Sequence, residues 1–321
     1  MKRVAVMTSG GDAPGMNAAI RAVVRSALDN NVEIVGIRRA YAGLLENNME
    51  VLTSREVSGI LQRGGTILQT ARNEEFKTEQ GQKKALRILN SRQIDGLIVI
   101  GGDGSMRGAL ALHRLKVPVV GVPGSIDNDI FGTDMAIGVD TALNTILEAL
   151  DRLRDTATSH TRAFLIEVMG RNCGYLALMG GILGGAEIIV TPERAVTMQE
   201  VSDALEDAYV RGKTHAIAVI AEGAGYRTTE LADFLNQKQH GFEIRLTILG
   251  HTQRGGSPTA FDRLLATRLG VKALEVLCAG ESGVMVGLRE RDISTVDLNE
   301  VATKIREINP VYYQLAHTLS R

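Results

Sequence analysis

The chain has 321 residues, of which 44% are hydrophobic and 23% are charged, and its formal net charge is −1. This length exceeds that of a typical single domain, so we expect two domains with sizeable apolar cores. The near-neutral charge excludes a global electrostatic footprint for nucleic acid or an anionic membrane, so any anionic ligand must be bound by local clusters of Arg and Lys.

Apolar runs typical of buried strands alternate with helical patterns along the chain. The predicted strands are 4–7, 32–37, 96–100, 118–122, 163–168, 187–190, 216–221, 244–249 and 284–288. The predicted helices include 16–28, 82–89, 141–154, 201–210 and 261–277. Because apolar residues occupy consecutive positions in the strands, we expect parallel sheets covered on both faces. The element order predicts an α/β fold with right-handed crossovers and two sheets.

The cysteine content and the N-terminal segment indicate the compartment. Only two cysteines occur, Cys173 and Cys278, which excludes a disulfide framework. We expect both to be buried apolar residues. The first residues, MKRVAVMTSGGDAPG, contain no signal-peptide core, and no apolar run is long enough to span a bilayer. The sequence therefore predicts a soluble cytoplasmic protein.

The first predicted strand is followed by a glycine-rich turn, TSGGDAPGMN, at residues 8–17. Glycines let backbone N–H groups approach a phosphate, and the N-terminus of the following helix favours negative charge. The turn has Asp12 where a dinucleotide-binding G-x-G-x-x-G motif needs Gly, and Met16 and Asn17 where a Walker A loop needs Lys and Ser or Thr. It is consistent with phosphate binding or with a purely structural role.

Two later strands end in turns that combine Gly with Asp. In GGDGS at 101–105, Asp103 is a candidate Mg²⁺ ligand or an N-cap of the next helix. In PGSIDND at 123–129, one of Asp127 and Asp129 can accept a proton from an attacking hydroxyl while the other holds a metal. Local hydrogen bonding within the turn is the alternative for this pair.

Phosphoryl transfer depends on charge neutralisation, so cationic side chains should converge on one site. The candidates are Arg72, Arg162, Arg171, Arg245, His251 and Arg254. Each one taken alone is equally consistent with a solvated surface residue. Glu222, at a strand end, either binds sugar hydroxyls or caps a turn. Spacing alone therefore predicts a Mg-nucleotide phosphotransferase with an anionic acceptor.

The chain resembles the bacterial ATP-dependent 6-phosphofructokinases over nearly its whole length. The most specific segments are TSGGDAPGMNAAIR, GGTIL with TAR, IGGDGS, PGSIDNDI, RDTATSH, EVMGR, GGAE, AEG and LGHTQRGGSPTAFDR. The resemblance implies a glycolytic enzyme that moves the γ-phosphate of MgATP onto the 1-hydroxyl of fructose 6-phosphate. It also implies a homotetramer whose subunits have two Rossmann-like, three-layer αβα domains. The larger domain (1–138 plus 253–303) would bind ATP and the smaller (139–252 plus 304–321) fructose 6-phosphate.

The resemblance assigns roles to individual residues. It implies that Asp127 is the general base, while Asp103 and Asp129 serve Mg²⁺. The residues implied to stabilise the moving phosphoryl group are Gly11, Arg72, Ser125 and Arg171. Those implied to contact ATP are Gly11, Tyr41, Arg72, Asn73, Gly102, Asp103, Gly104, Ser105 and Gly108. Those implied to contact the sugar phosphate are Ser125, Ile126, Asp127, Met169, Gly170, Arg171, Glu222, His251 and Arg254, with Arg162 and Arg245 reaching into the neighbouring subunit's site.

Two glycines indicate which phosphoryl donor, ATP or pyrophosphate, the chain favours. Pyrophosphate-dependent relatives typically carry Asp at the position of Gly104 and Lys at that of Gly124. A carboxylate at 104 would repel the α-phosphate of ATP, and a lysine at 124 would supply charge that a shorter donor lacks. Both glycines therefore favour ATP over pyrophosphate. The alternatives are a pyrophosphate donor, a related acceptor such as tagatose 6-phosphate, and a non-catalytic nucleotide sensor, which the presence of Asp127 disfavours.

The resemblance also implies an effector pocket for ADP or phosphoenolpyruvate. Its residues here would be Arg21, Arg25, Arg55, Arg154, Gly185, Glu187, Arg211, Lys213 and His215. Ser54 and Gly59 stand where the family often has Arg and Asp. Because only differential affinity for two states produces a switch, we expect weakened or altered control. Strongly sigmoidal fructose 6-phosphate kinetics with phosphoenolpyruvate would contradict this expectation.

Overall fold

A computed structural model of the chain describes residues 1–238 and 240–319, so the predicted segment 304–321 ends in two residues outside these ranges. The strands are β1 (Arg3–Ser9), β2 (Glu33–Ile37), β3 (Met49–Leu52), β4 (Gly96–Gly101), β5 (Val119–Pro123), β6 (Arg162–Val168), β7 (Ile188–Val190), β8 (Ala216–Ala221), β9 (Glu243–Ile248), β10 (Val284–Arg289) and β11 (Asp292–Asp297). The helices are α1 (Met16–Asp29), α2 (Ala40–Leu45), α3 (Glu79–Ser91), α4 (Asp103–Arg114), α5 (Val139–Thr158), α6 (Tyr175–Leu183), α7 (Met198–Val210), α8 (Thr228–Asn236), α9 (Ala260–Cys278), α10 (Leu298–Thr303) and α11 (Pro310–Leu319). Short 3-10 helices lie at Glu75–Lys77 and Gly250–Arg254.

The strands form two sheets. The larger has the order β11-β10-β5-β4-β1-β2-β3 and is parallel except at its edges, where β3 and β11 pair antiparallel with their neighbours. The smaller has the order β7-β8-β6-β9 and is parallel throughout. Strands β4 and β8 are buried at every position, which explains their continuous apolar runs. The predicted α/β fold with mainly parallel sheets is confirmed.

The chain divides into two compact units. The first comprises Met1–Thr141 and Arg254–Arg306, and contains the larger sheet. The second comprises Ala142–Gln253 and the chain from Glu307 onward, and contains the smaller sheet. In the second unit, fully buried side chains from β6, β8, α7 and α8 form one core. Each unit therefore buries its own sheet beneath helices, as parallel sheets require.

Two helices begin earlier than the apolar pattern predicts because polar side chains cap them. Helix α3 starts at Glu79 rather than 82, since the Thr78 hydroxyl accepts a hydrogen bond from Gly81 N at 3.1 Å. Helix α7 starts at Met198 rather than 201. There Thr197 and Glu200 form a capping box, with reciprocal hydrogen bonds of 3.2 and 2.7 Å between side chain and backbone.

The cysteines differ in their surroundings. Cys173 is buried, as expected. The prediction is wrong for Cys278, which is exposed because it is the last residue of α9. Across residues 1–238 and 240–319, no helix combines the length and apolar character needed to cross a bilayer.

Candidate active site

The three glycine-rich turns lie at one edge of the larger sheet. They follow β1, β4 and β5, which are adjacent in the sheet. Ser9 at the end of β1 pairs with Gly101 of β4, and Gly101 pairs with Pro123 of β5. The three strands therefore end at the same level. Ligands of open α/β sheets bind at such carboxyl edges, so this edge is the candidate site of the first unit.

A nearly buried arginine connects the first turn with the candidate base. Arg254 donates from Nη1 to the backbone oxygen of Asp12 at 3.1 Å, and its Nη2 lies 3.9 Å from Oδ1 of Asp127. A Cβ at Gly11 would overlap this guanidinium, so a side chain there would displace Arg254 from its present position. The cation and the carboxylate are thus both fixed at the end of the glycine turn, where an anionic ligand and an attacking hydroxyl would need them.

The loop after β5 holds Asp127, and this residue is only 2% exposed. Its backbone N–H donates to Ser125 Oγ at 3.2 Å. Asn128 has a left-handed backbone (φ 54°), and its Oδ1 accepts from Ala136 N at 3.1 Å. Arg306 donates to the backbone oxygen of Asn128 at 2.7 Å. Asn128 and Arg306 fix the loop from both sides, and the sequence analysis assigned neither a role, although Asn tolerates such a backbone.

The serine of the second turn has a hydroxyl available for a ligand. Ser105 is buried, and its Oγ has no hydrogen-bond partner among the described residues. A Cβ placed on Gly10 would lie 3.2 Å from this oxygen, so the hydroxyl faces the first glycine turn. Buried polar atoms are normally hydrogen-bonded, and an exception at a ligand edge indicates a partner that binds there. The geometry suits donation to a phosphate oxygen.

Tyr41 supports the second turn through close packing. Its hydroxyl donates to Ser105 O at 2.8 Å, and its ring stacks on Phe76 with the centroids 4.0 Å apart. A Cβ at Gly108 would overlap the ring. Burial raises the pKa of Tyr41, so the phenol stays a neutral donor. Tyr41 and Gly108 therefore build the wall beside Ser105.

The carboxylates predicted to serve Mg²⁺ follow adjacent strands. Asp103 is the first residue of α4; Gly102 takes the cap position, so the alternative prediction of an N-cap at Asp103 is wrong. Its carboxylate instead pairs with Arg107 one helical turn later. Asp129 is partly buried. In residues 1–238 and 240–319, no cluster of three or more His, Cys, Asp or Glu side chains could hold a metal. Two carboxylates nevertheless fit Mg²⁺, which commonly takes one or two protein carboxylates plus substrate phosphates.

The segment before Arg72 is tied to the first glycine turn. Thr70 Oγ1 donates to Gly10 O at 2.5 Å, so the chain passes close to that turn before reaching Arg72, which is exposed. Asn73 uses its Oδ1 to accept from Phe76 N at 2.7 Å and so begins the short 3-10 helix. Arg72 is thus near the edge on a fixed stretch of backbone.

Asn17 is a supporting residue that the sequence analysis did not identify. It is buried in α1, and its Nδ2 donates to Arg63 O at 3.0 Å and Gly64 O at 3.1 Å. Its Oδ1 accepts from Ile67 N at 2.8 Å. The helix that follows the glycine turn therefore pins loop 63–67. The available signal was a polar residue on the otherwise apolar face of α1.

In the second unit, Glu222 holds the turn after β6. Its Oε1 accepts from Gly170 N at 3.2 Å and from Arg171 N at 2.7 Å. Both of these residues have left-handed backbones, with φ of 139° and 52°. The backbone N–H of Met169 donates to Gln253 Oε1 at 3.2 Å. A carboxylate that accepts from two strained backbone amides fixes their conformation, so Glu222 acts as a turn cap whatever else it binds.

Glu222 also lines a cavity of about 580 Å³ within the second unit. Its polar lining comprises Glu167, Glu222, Tyr226, Arg227, Thr228, Thr229 and Glu230. Small-molecule sites in proteins typically have volumes of roughly 300–1,000 Å³ and a few convergent polar groups. The cavity is thus large enough for a sugar phosphate, and its hydroxyl and carboxylate groups suit a polyol.

Arg162 and Arg245 lie apart from this cavity. Arg162 opens β6, whereas Met169 follows its end, and seven residues of strand span roughly 20 Å. Arg162 Nε donates to Glu243 Oε2 at 2.8 Å, and Arg245 pairs with the same carboxylate. The pKa of Glu243 is lowered, mainly because Arg162 donates a hydrogen bond to its carboxylate. Within one chain both arginines pair with Glu243, and Arg162 lies at the opposite end of its strand from Met169.

Comparison with known proteins identifies the family. Residues 3–277 match the protein-family model described as phosphofructokinase. The chain belongs to the phosphofructokinase family.

Relatives and solved structures of this family match the whole chain. It is 54% identical to ATP-dependent 6-phosphofructokinase 1 of Thermus thermophilus and 51% identical to ATP-dependent 6-phosphofructokinase of Natranaerobius thermophilus, each over 100% of both chains. Its structure is similar to Pichia pastoris phosphofructokinase in the T-state, with a TM-score of 0.90 and 37% identity. That match covers 94% of this chain and 35% of the Pichia chain, so this chain spans about a third of the yeast subunit.

The residues that the phosphofructokinase resemblance assigns to an effector pocket include one cluster in the second unit. Arg154 donates to Gly185 O at 3.1 Å, and its Nη1 lies 3.4 Å from His215 Nε2. Lys213 donates to Glu187 at 3.0 Å. The other predicted members are partly or fully exposed cations: Arg21, Arg25, Arg55 and Arg211.

Proposed function

We propose that the chain is an ATP-dependent 6-phosphofructokinase that transfers the γ-phosphate of MgATP to the 1-hydroxyl of fructose 6-phosphate, giving fructose 1,6-bisphosphate and ADP. The observation that carries this proposal is the edge of the larger sheet. There, three glycine turns follow adjacent strands and Asp127 is held beside Arg254. Full-length relatives named ATP-dependent 6-phosphofructokinase support it.

In this proposal Asp127 is the general base. Its carboxylate accepts the proton of the 1-hydroxyl as that oxygen attacks the γ-phosphorus and the bond to the leaving ADP oxygen breaks. Ser125, whose Oγ accepts from Asp127 N, keeps a hydroxyl hydrogen to donate to the transferring phosphate. The backbone of Gly11 and the guanidinium groups of Arg72 and Arg171 stabilise the charge on the equatorial oxygens.

Asp103 and Asp129 would hold Mg²⁺ bound together with ATP. When bound, the ion neutralises charge on the β- and γ-phosphate oxygens. The free Ser105 hydroxyl would donate to the donor phosphates, and Gly104 would leave room for the α-phosphate. ATP is thus assigned to the first unit.

Fructose 6-phosphate is assigned to the second unit, with contacts to Met169, Gly170, Arg171, Glu222 and His251, and to Arg254 of the first. The cavity beside Glu222 supports this assignment, since its lining is rich in hydroxyl and carboxylate groups that bind sugar hydroxyls. Because Glu222 fixes the 170–171 backbone, it would position this contact surface as well as bind the sugar.

We further propose a cytoplasmic homotetramer. Arg162 lies at the opposite end of β6 from Met169, as a residue that serves a neighbouring subunit's site should, and Arg245 pairs with the same Glu243 as Arg162. Both are neutralised by Glu243 until a more strongly charged phosphate competes for them. The cluster around Arg154 is the proposed site for ADP or phosphoenolpyruvate as effector.

Substitution of Asp127 tests this proposal. We expect Asp127→Asn to lower kcat by about 10²–10⁴-fold, because the amide cannot accept the proton. The control is Asp29→Asn, which removes an exposed carboxylate at the last residue of α1 and should retain near wild-type turnover. A folded Asp127→Asn enzyme that keeps more than about a tenth of the activity would contradict the assigned base.

A further inference from the structure

A fully buried carboxylate lies outside the residues discussed so far. Asp262, in the first turn of α9, has no solvent exposure. Its Oδ1 accepts from Gly138 N at 2.9 Å, and its Oδ2 accepts from Thr141 N at 2.8 Å and Thr141 Oγ1 at 2.6 Å. Burial raises the pKa of Asp262, and these three donors oppose the rise. Burying a carboxylate costs free energy unless its oxygens are hydrogen-bonded, and the three donors around Asp262 offset that cost.

Gly138, which donates to Asp262 Oδ1, is the last residue of the loop that carries Asp127. Directly before Gly138, Ile137 pairs with the start of the same loop. Ile137 N donates to Pro123 O at 3.0 Å, and Ser125 N donates to Ile137 O at 3.1 Å. The position of the first loop residues after β5 therefore depends on the positions of residues 137 and 138.

The first glycine turn rests on the same two residues. A Cβ at Gly15 would lie 2.6 Å from Ile137 Cγ2, and a Cβ at Gly138 would lie 2.7 Å from Ala13 Cβ. Such approaches require glycine at both positions, and both have left-handed backbones, with φ of 110° and 104°. Residues 137–138 thus connect the candidate phosphate-binding turn with the candidate base.

We propose that Asp262 is a positioning residue for phosphoryl transfer, which fixes Gly138 and Thr141 and through them the loop that carries Asp127. It touches neither substrate nor the reacting atoms. The inference rests on the proposed function, because it concerns the geometry of the same site. A purely structural role, as a cap supplied to the first turn of α5, would affect stability without changing the loop at residues 124–138.

The test compares two isosteric Asp-to-Asn variants. In Asp262→Asn, an NH₂ group replaces one oxygen and faces N–H and O–H donors, so the loop should loosen. We expect kcat to fall about 10- to 100-fold with KM for ATP changed less than about threefold, since small misplacement of a catalytic group costs up to about 10²-fold. Amide hydrogen exchange of residues 124–138 should also rise. The matched control is Asp297→Asn at the N-cap of α10, where Oδ1 accepts from Asn299 N at 2.7 Å and where Asn caps about as well as Asp. It should leave kcat and the exchange of that loop unchanged.

A milder variant keeps the test decisive if Asp262→Asn does not fold. Thr141→Val removes the hydroxyl that donates to Asp262 and accepts from Thr259 N at 3.1 Å, leaves both backbone donors to Asp262, and should give a smaller change in the same direction. A folded Asp262→Asn enzyme with kcat within about twofold of wild type and unchanged exchange at 124–138 would overturn the proposal. Equal losses in Asp297→Asn would overturn it too, since the effect would then not be specific to Asp262. If the wild-type chain lacks phosphofructokinase activity, the proposed function is wrong. Amide hydrogen exchange of residues 124–138 in Asp262→Asn would then still test whether Asp262 fixes the loop.

Discussion

At the scale of single residues, Gly104 and Gly124 have different surroundings. A Cβ at Gly104 would meet no atom within 4 Å. A Cβ at Gly124 would lie 3.2 Å from Met16 Cε and 3.4 Å from Ile100 Cγ2, which is tight contact. Packing therefore explains why residue 124 is small but gives no reason for a glycine at 104. In the proposed function, the phosphoryl donor beside residue 104 supplies that reason.

We expect Gly104→Asp to raise KM for ATP about tenfold or more, because the new carboxylate repels the donor phosphates, and tenfold corresponds to about 1.4 kcal/mol. Gly104→Ala is the matched control, since it adds a methyl group without charge and should change KM less than about threefold. Steady-state kinetics with MgATP measure both variants. Equal effects of Ala and Asp would show that volume, not charge, matters at this position.

The chemistry of the candidate site was predictable where it depends on short stretches of sequence. Asp103 and Asp127 each follow an apolar strand and a glycine, a pattern visible in any window of ten residues. The supports were not predictable, because they act across long sequence separations. Asp262 binds Gly138, 124 residues away, and Arg306 binds Asn128, 178 residues away. Asp262 lies in the segment LGHTQRGGSPTAFDR that carries part of the resemblance, but its local sequence does not show that it binds residues 138 and 141.

At the scale of elements, one carboxylate joins the starts of two central strands. Asp95, directly before β4, accepts at Oδ2 from Lys2 N at 2.6 Å and from Arg3 N at 3.0 Å. These hydrogen bonds lower the pKa of Asp95. A lowered folded-state pKa stabilises the fold above the unfolded-state value, about 3.9, and this stabilisation disappears as pH falls through the folded-state pKa.

We expect Asp95→Asn to lower the free energy of unfolding at pH 7 by about 0.5–1 kcal/mol, a small value because the pair of bonds is exposed and screened by solvent. The difference from wild type should shrink as pH falls below about 4. Asp233→Asn, at an exposed residue of α8, is the control and should follow the wild-type curve. Chemical denaturation at several pH values measures all three proteins. A difference that stays constant between pH 7 and pH 3 would contradict the argument.

The central strands were predictable, whereas the two antiparallel edge strands of the larger sheet were not. The apolar runs located the buried strands of both sheets to within a few residues, because a strand covered on both faces is apolar at consecutive positions. The edge strands β3 and β11 lack such runs: Val51 is half-exposed and β11 reads DISTVD. Edge strands typically carry polar or charged residues that discourage further pairing, which removes the signal used to find them.

At the scale of the whole molecule, the chain passes between its two compact units after residues 141, 253 and 306. No Pro-rich or charged linker marks these positions, so composition alone predicted two domains but not their limits. The net charge of −1 is equally uninformative about anionic substrates. What matters is local: Arg254 donates to the first glycine turn, where the proposed function needs a cation for a phosphate.

The most direct test of the central claim is a coupled assay for fructose 1,6-bisphosphate. The wild-type chain would receive fructose 6-phosphate with either MgATP or magnesium pyrophosphate as the donor. We predict turnover with MgATP and none with pyrophosphate, because Gly104 leaves room for the α-phosphate and position 124 carries no lysine. Turnover with pyrophosphate alone would contradict the donor assignment, and no turnover with either donor would contradict the proposed phosphofructokinase activity itself.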